Sequence, residues 1–136
     1  MRIVLDTNVL ISGIFFTGPP YQILKAWRDG KVQVVLSSEI IYEYYRVSNL
    51  LKKQFPGIDA EPILNMIAAN SDLVQAPALP EQVCDDPDDD KFLACALAGE
   101  AKVIVSGDKH LLALSGYRGI AIIRPAKFVD KYLQKS

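Results

Sequence analysis

Short aliphatic runs, each followed by a stretch of helix length, restrict what this chain can fold into. Ile3-Val4-Leu5 stops abruptly at Asp6. A run so short and wholly apolar reads as a strand buried on both faces. Val32 to Leu36, a pair near Leu73-Val74, Lys102 to Val105 and Ile120 to Ile123 repeat the pattern. Between them lie helical segments. One starts at Val9-Leu10-Ile11 and breaks at Gly18-Pro19-Pro20, and the next spans Tyr21 to Arg28 and stops at Gly30. Ser37-Ser38 offers a cap for a longer helix reaching Lys53, and another covers Asp59 to Asn70. A loop with Pro77 and Pro80 leads into a helix from Pro87 to Ala98. A short helix carries Leu111, Leu112 and Leu114, and a last one starts at Pro125. Strands alternating with helices imply a parallel sheet covered on both faces, in one α/β domain over residues 1–136.

In such sheets a ligand crevice lies outside the carboxyl ends of the strands. Asp6 and Asp108 both fall at such ends, each just before a helix. Either could be an ordinary helix cap, but two in one small domain favour a shared site. Glu43 strengthens that reading. Positions 40, 43, 47 and 50 step by three, four and three, so Glu43 lies on the apolar face of its helix. A glutamate there needs a partner: a local Lys or Arg, or the same site.

The stretch CDDPDDDKFLACAL packs five aspartates into six positions ahead of an apolar helix. Pro87 suits the first helical position, which makes Asp86 the cap. Asp88 and Asp89 suit the positive helix end. Asp90 is three, four and seven residues before Leu93, Ala94 and Leu97 and shares their inward face. It is therefore favoured as the site acid from this run, with Asp89 as the alternative.

Carboxylates ~4 Å apart repel by about 4 kcal/mol at an effective dielectric near 20. A cluster of Asp6, Glu43, Asp90 (or Asp89) and Asp108 therefore calls for protons or a cation. An all-oxygen donor set selects Mg²⁺ or Mn²⁺ over zinc. The same repulsion leads to the expectation that removing Glu43 or Asp108 stabilises the metal-free chain. The 15 basic and 16 acidic residues give a net charge of −1, so any attraction to nucleic acid must be local. Cys84 and Cys95 fit no metal or redox spacing and read as reduced thiols. His110 reads as a surface residue. No apolar run approaches a membrane span, and Asp6 interrupts the N-terminal run too early for a signal peptide. A soluble cytoplasmic domain is expected.

The sequence resembles the PIN-domain ribonucleases, especially the toxins of bacterial and archaeal toxin–antitoxin pairs. IVLDTNVLIS is similar to the first family signature, SSEIIYEYYRV to the helix with the second acid, and DPDDDKFLACALAGEAKVIVSGDKHLL to the third block. The resemblance covers nearly the whole chain, in the family's order. It implies a three-layer α/β/α sandwich, PIN-like and Rossmann-like, and a metal-dependent endoribonuclease. The catalytic acids would be Asp6, Glu43, Asp90 and Asp108. Mg²⁺ or Mn²⁺ would be held by Asp6, Asp108 and Asp90 or Asp89. Asn8 and Ser106 would support the site by hydrogen bonds. A small antitoxin protein and a homodimer are the partners it implies.

An anionic RNA substrate needs nearby cations. Arg46, Lys91 and Lys109 are candidates to contact it, and Tyr42, Tyr44 and Tyr45 are candidates either to stack on bases or to pack in the core. Other readings are an RNA-maturation nuclease, a PIN fold without activity that serves binding, and a phosphoaccepting Asp6. The last is disfavoured because Asn8 stands where such phosphatases place a second aspartate.

Overall fold

The computed structural model describes residues 1–133. Five strands form one sheet: β1 (Arg2–Leu5), β2 (Gln33–Leu36), β3 (Asp72–Leu73), β4 (Val103–Val105) and β5 (Ala121–Ile123), in the order β3-β2-β1-β4-β5. Every pairing is parallel. The central strands β1 and β4 run in register from Ile3 opposite Val103 to Leu5 opposite Val105. All three residues of each are buried, so helices cover both faces and neither strand alternates.

The helices are α1 (Thr7–Phe15), α2 (Pro19–Arg28), α3 (Ser38–Lys52), α4 (Glu61–Ala69), α5 (Asp90–Ala98), α6 (Lys109–Leu112) and α7 (Pro125–Phe128). α1 and α2 approach closely because Gly13 has no side chain. A Cβ there would meet Leu24 Cδ1 at 2.7 Å and the Pro20 carbonyl oxygen at 2.9 Å. α3 is fastened to the sheet by Tyr44, which is buried and donates from its hydroxyl to the Leu5 carbonyl at 2.6 Å. α5 packs on β1, β2 and β4 through Phe92, Leu93, Cys95 and Ala96, all fully buried. Cys84 and Cys95 are free, buried thiols, as expected.

The expected elements are present, and the departures are local. The strand near Leu73-Val74 is Asp72–Leu73, with the Val74 N–H still bonded to the Leu36 carbonyl. The helix expected from Pro87 opens instead with a tight turn, Pro87–Asp89, before regular α5. From β1 the chain moves outward to β2 and β3, then returns to the other side of β1 as β4. The order reverses between β1 and β4, and in open α/β sheets such a switch point is where ligands bind, outside the carboxyl ends of the strands.

Candidate active site

Asp6 and Asp108 follow the carboxyl ends of β1 and β4, at this switch point. Asp6 follows β1, with its N–H bonded to the Val105 carbonyl at 3.0 Å, and only 7% of it is exposed. Its carboxylate does not cap α1. Instead Asp6 Oδ2 accepts a 2.6 Å hydrogen bond from Ser106 Oγ. That hydroxyl also accepts from the Asp108 N–H at 3.0 Å. Ser106 is fully buried after β4, so one side chain locks the loops of both central strands together. Asp108 Oδ1 accepts from the His110 N–H and thus also caps α6.

Glu43 reaches the same region from α3. Its side chain is 14% exposed. Glu43 Oε2 accepts from Thr7 Oγ1 at the start of α1. Glu43 Oε1 accepts from Lys91 Nζ at 2.6 Å, and Arg46 lies 3.7 Å from the same oxygen. The local-cation partner considered for Glu43 is therefore present, and so is the contact with the loop that carries Asp6.

Lys91 departs from expectation. A role in meeting substrate phosphate requires a free ammonium, but its side chain is only 12% exposed and it pairs with both Glu43 and Asp88, the latter at 2.7 Å. Although burial opposes its charge, hydrogen bonds to Asp88 and Glu43 hold the ammonium above its usual range. Arg46 and Lys109 are exposed, as substrate contacts require. Asn8 is exposed and makes no side-chain hydrogen bond among the described residues. Its neighbour Thr7, not Asn8, makes the hydrogen bond to Glu43. The signal was the hydroxyl itself, next to a strand-end acid. His110 lies on the surface, 3.4 Å from Asp85.

The aspartate run resolves differently from its helical-face reading. Asp90 does not turn toward the switch point. Its carboxylate accepts from the Cys84 N–H at 2.7 Å and the Val83 N–H at 3.1 Å, clasping the incoming loop. Against the cost of burial, the Cys84 thiol and these two N–H groups hold the Asp90 carboxyl below its usual range. Among the described residues Asp89 makes no such bond, and it is half-buried within electrostatic reach of the other acids. It is pushed up to about 6, by burial first and then by Asp86, Asp6, Asp108 and Glu43. The tight first turn explains the exchange: three residues per turn rotate Asp89 and Asp90 away from the positions a regular α-helix starting at Pro87 would give them.

Asp6 responds to the same neighbourhood. Burial pushes its carboxyl up, the Ser106 hydroxyl opposes this, and Asp108 and Glu43 add to it. Asp6, Glu43, Asp89 and Asp108 thus lie in one acidic neighbourhood, in which Lys91 and Arg46 pair with Glu43. Among the described residues, no three His, Cys, Asp or Glu side chains close on a single point. A hard cation does not require that closure. Mg²⁺ keeps several waters and typically takes one or two carboxylates, and the donors here are all oxygen. The group therefore fits a hydrated hard cation.

A family model described as "PIN domain" matches residues 2–110. The uncharacterized protein MJ1680 of Methanocaldococcus jannaschii is 32% identical over 119 residues, which cover 84% of this chain and 75% of that protein. Among solved structures, VapBC2 from Rickettsia felis, bound to a DNA fragment from its promoter, includes a chain with the same fold. The match has a TM-score of 0.58 at 15% identity and covers 91% of this chain and 98% of that one.

Proposed function

The chain belongs to the PIN-domain family, a family of nucleases, and from that premise we propose that it is a metal-dependent endoribonuclease. The observation that carries the reading is the gathering of Asp6, Glu43 and Asp108 around the carboxyl ends of β1 and β4, through the Asp6–Ser106–Asp108 and Thr7–Glu43 hydrogen bonds, with Asp89 close enough to be raised by all three. The acids assigned to metal are Asp6, Asp89 and Asp108, with Glu43 at the rim. Asp89 takes the place that the sequence pattern offered to Asp90.

A bound Mg²⁺ or Mn²⁺ supplies an acidified water as nucleophile and positive charge opposite the phosphate. The protein's own groups prepare the site. Ser106 fixes the Asp6 carboxylate through Oδ2 and leaves Oδ1 free of that bond. Thr7 and Lys91 hold one oxygen each of Glu43, which fixes its orientation. Arg46 and Lys109, both exposed, are assigned to the anionic backbone of the RNA.

The wider role proposed is that of a toxin in a toxin–antitoxin pair, a soluble cytoplasmic homodimer held by a small antitoxin protein. The fold shared with the VapBC2 chain supports the antitoxin partner in this reading. Among the described residues no helix is long and apolar enough to cross a membrane. A second reading, a PIN fold that binds without cleaving, is favoured by one feature: Lys91 already neutralises Glu43. Cleavage of labelled single-stranded RNA in Mg²⁺ or Mn²⁺, with and without EDTA, separates the two. The nuclease reading expects metal-dependent cleavage that Asp6→Asn abolishes with the fold intact. Intact RNA under all conditions leaves the binding reading.

A further inference from the structure

Beside the acids, a groove of about 830 Å³ runs between α3, the loop over residues 76–86 and the start of α5. Glu43 lines it and, through Thr7, also contacts the start of α1 next to Asp6, so the groove adjoins the acid site. Much of its lining is apolar, with Ala76, Ala78, Leu79 and Ala94 among the residues. Tyr42 stands on its wall. Of the three tyrosines on α3, Tyr44 is buried against β1 and Tyr45 bonds to Asn65, whereas Tyr42 is 71% exposed. Arg46, one turn further along the same helix, also lines the groove and is 52% exposed. An aromatic ring and a guanidinium one turn apart offer two planes on which a flat ring can stack.

We propose that this groove receives an unstacked nucleobase of single-stranded RNA next to the phosphate at the acid site, with guanine the preferred base. The proposal rests on the ribonuclease reading and names the shape of its substrate. Charge decides that the base, not the backbone, enters. Glu39 and Glu81 line the groove, and neither has an ion-pair partner among the described residues. They repel phosphate. A carboxylate accepts well from adjacent N–H donors, and guanine presents two on its Watson–Crick edge. The apolar lining and Tyr42 favour the base faces, since stacking depends little on sequence and the edge contacts add the preference.

The test uses the full chain carrying Asp6→Asn, so that bound RNA survives. Its affinity is measured by fluorescence anisotropy for a dye-labelled decamer of uridine with one central guanosine, and for the same decamer with inosine or uridine there. The guanosine decamer should bind tightest. Tyr42→Ala should weaken it about tenfold to a hundredfold, Tyr42→Phe should restore it, and Glu39→Gln with Glu81→Gln should erase the preference over inosine. Equal affinity for Tyr42→Ala, or no preference among the three decamers, overturns the proposal. So does Tyr42-dependent binding of a basic amphipathic peptide with no such dependence for RNA, which would make the groove a protein-docking site. Cleavage by the chain with Asp6 intact is assayed alongside. Normal cleavage with no effect of Tyr42→Ala removes the pocket and keeps the nuclease. Tyr42-dependent binding without cleavage does the reverse.

Discussion

Lys91 Nζ lies 2.6 Å from Glu43 Oε1, an ion pair that ties α5 to α3 across 48 residues of chain. Both side chains are largely shielded from solvent. Breaking such a pair leaves one charge unmatched in a poorly hydrated place. Lys91→Met is expected to lower stability in EDTA by about 2 kcal/mol. This reverses the sign that repulsion alone assigns to Glu43: Glu43→Gln should also destabilise. Urea melts of both singles and the double variant check this, with the double less impaired than the sum. Strictly additive losses would contradict a coupled pair.

Asp89 sets a pH dependence. Its folded-state value of about 6 lies above its ordinary 3.8. Folding therefore takes up a proton between those two values, so this carboxyl lowers stability as pH rises through that window and leaves a constant cost above it. Asp6 is shifted in the same direction. Thermal melts in EDTA should show the chain losing stability between about pH 4 and pH 6 more steeply than Asp89→Asn. Asp89→Asn should also be the more stable at pH 7. Parallel pH profiles would show that Asp89 is not pressed against other acids. Asp108→Asn is expected to stabilise too, because asparagine caps α6 equally well.

Asp89 and Asp90 divide function from structure. Asp89→Asn should reduce RNA cleavage by at least about a hundredfold, the upper end of what loss of an outer-shell partner alone does, with no loss of stability at pH 7. Asp90→Ala should cost about 1–3 kcal/mol, because the Val83 and Cys84 N–H groups lose their acceptor. Its turnover per folded molecule should stay near that of the parent. Steady-state cleavage together with thermal melts of the two variants decides it. The opposite pattern would return the site to Asp90.

What could be read from the sequence was local. Asp6 and Asp108 follow apolar runs directly, so strand-end placement needs no knowledge of the rest. The three-and-four spacing around Glu43 marks its inward face, and Tyr44 confirms that face by its burial. What could not be read depended on distant partners. Nothing near Glu43 in the chain announces Lys91, and nothing in IVLDTN says that Thr7 rather than Asn8 turns toward α3. The choice between Asp89 and Asp90 hinged on a single turn. A proline-led segment reads as a regular helix, but here its first turn is tight and the loop at Val83-Cys84 folds back to claim Asp90.

Titration calorimetry with Mn²⁺ is the most direct test that acids from three separate segments, Asp6, Asp89 and Asp108, share one hard cation. Binding is expected to be saturable, lost in Asp6→Asn and in Asp89→Asn, and retained in Asp90→Asn. Binding that survives Asp6→Asn, or that disappears with Asp90→Asn in a folded protein, would contradict it.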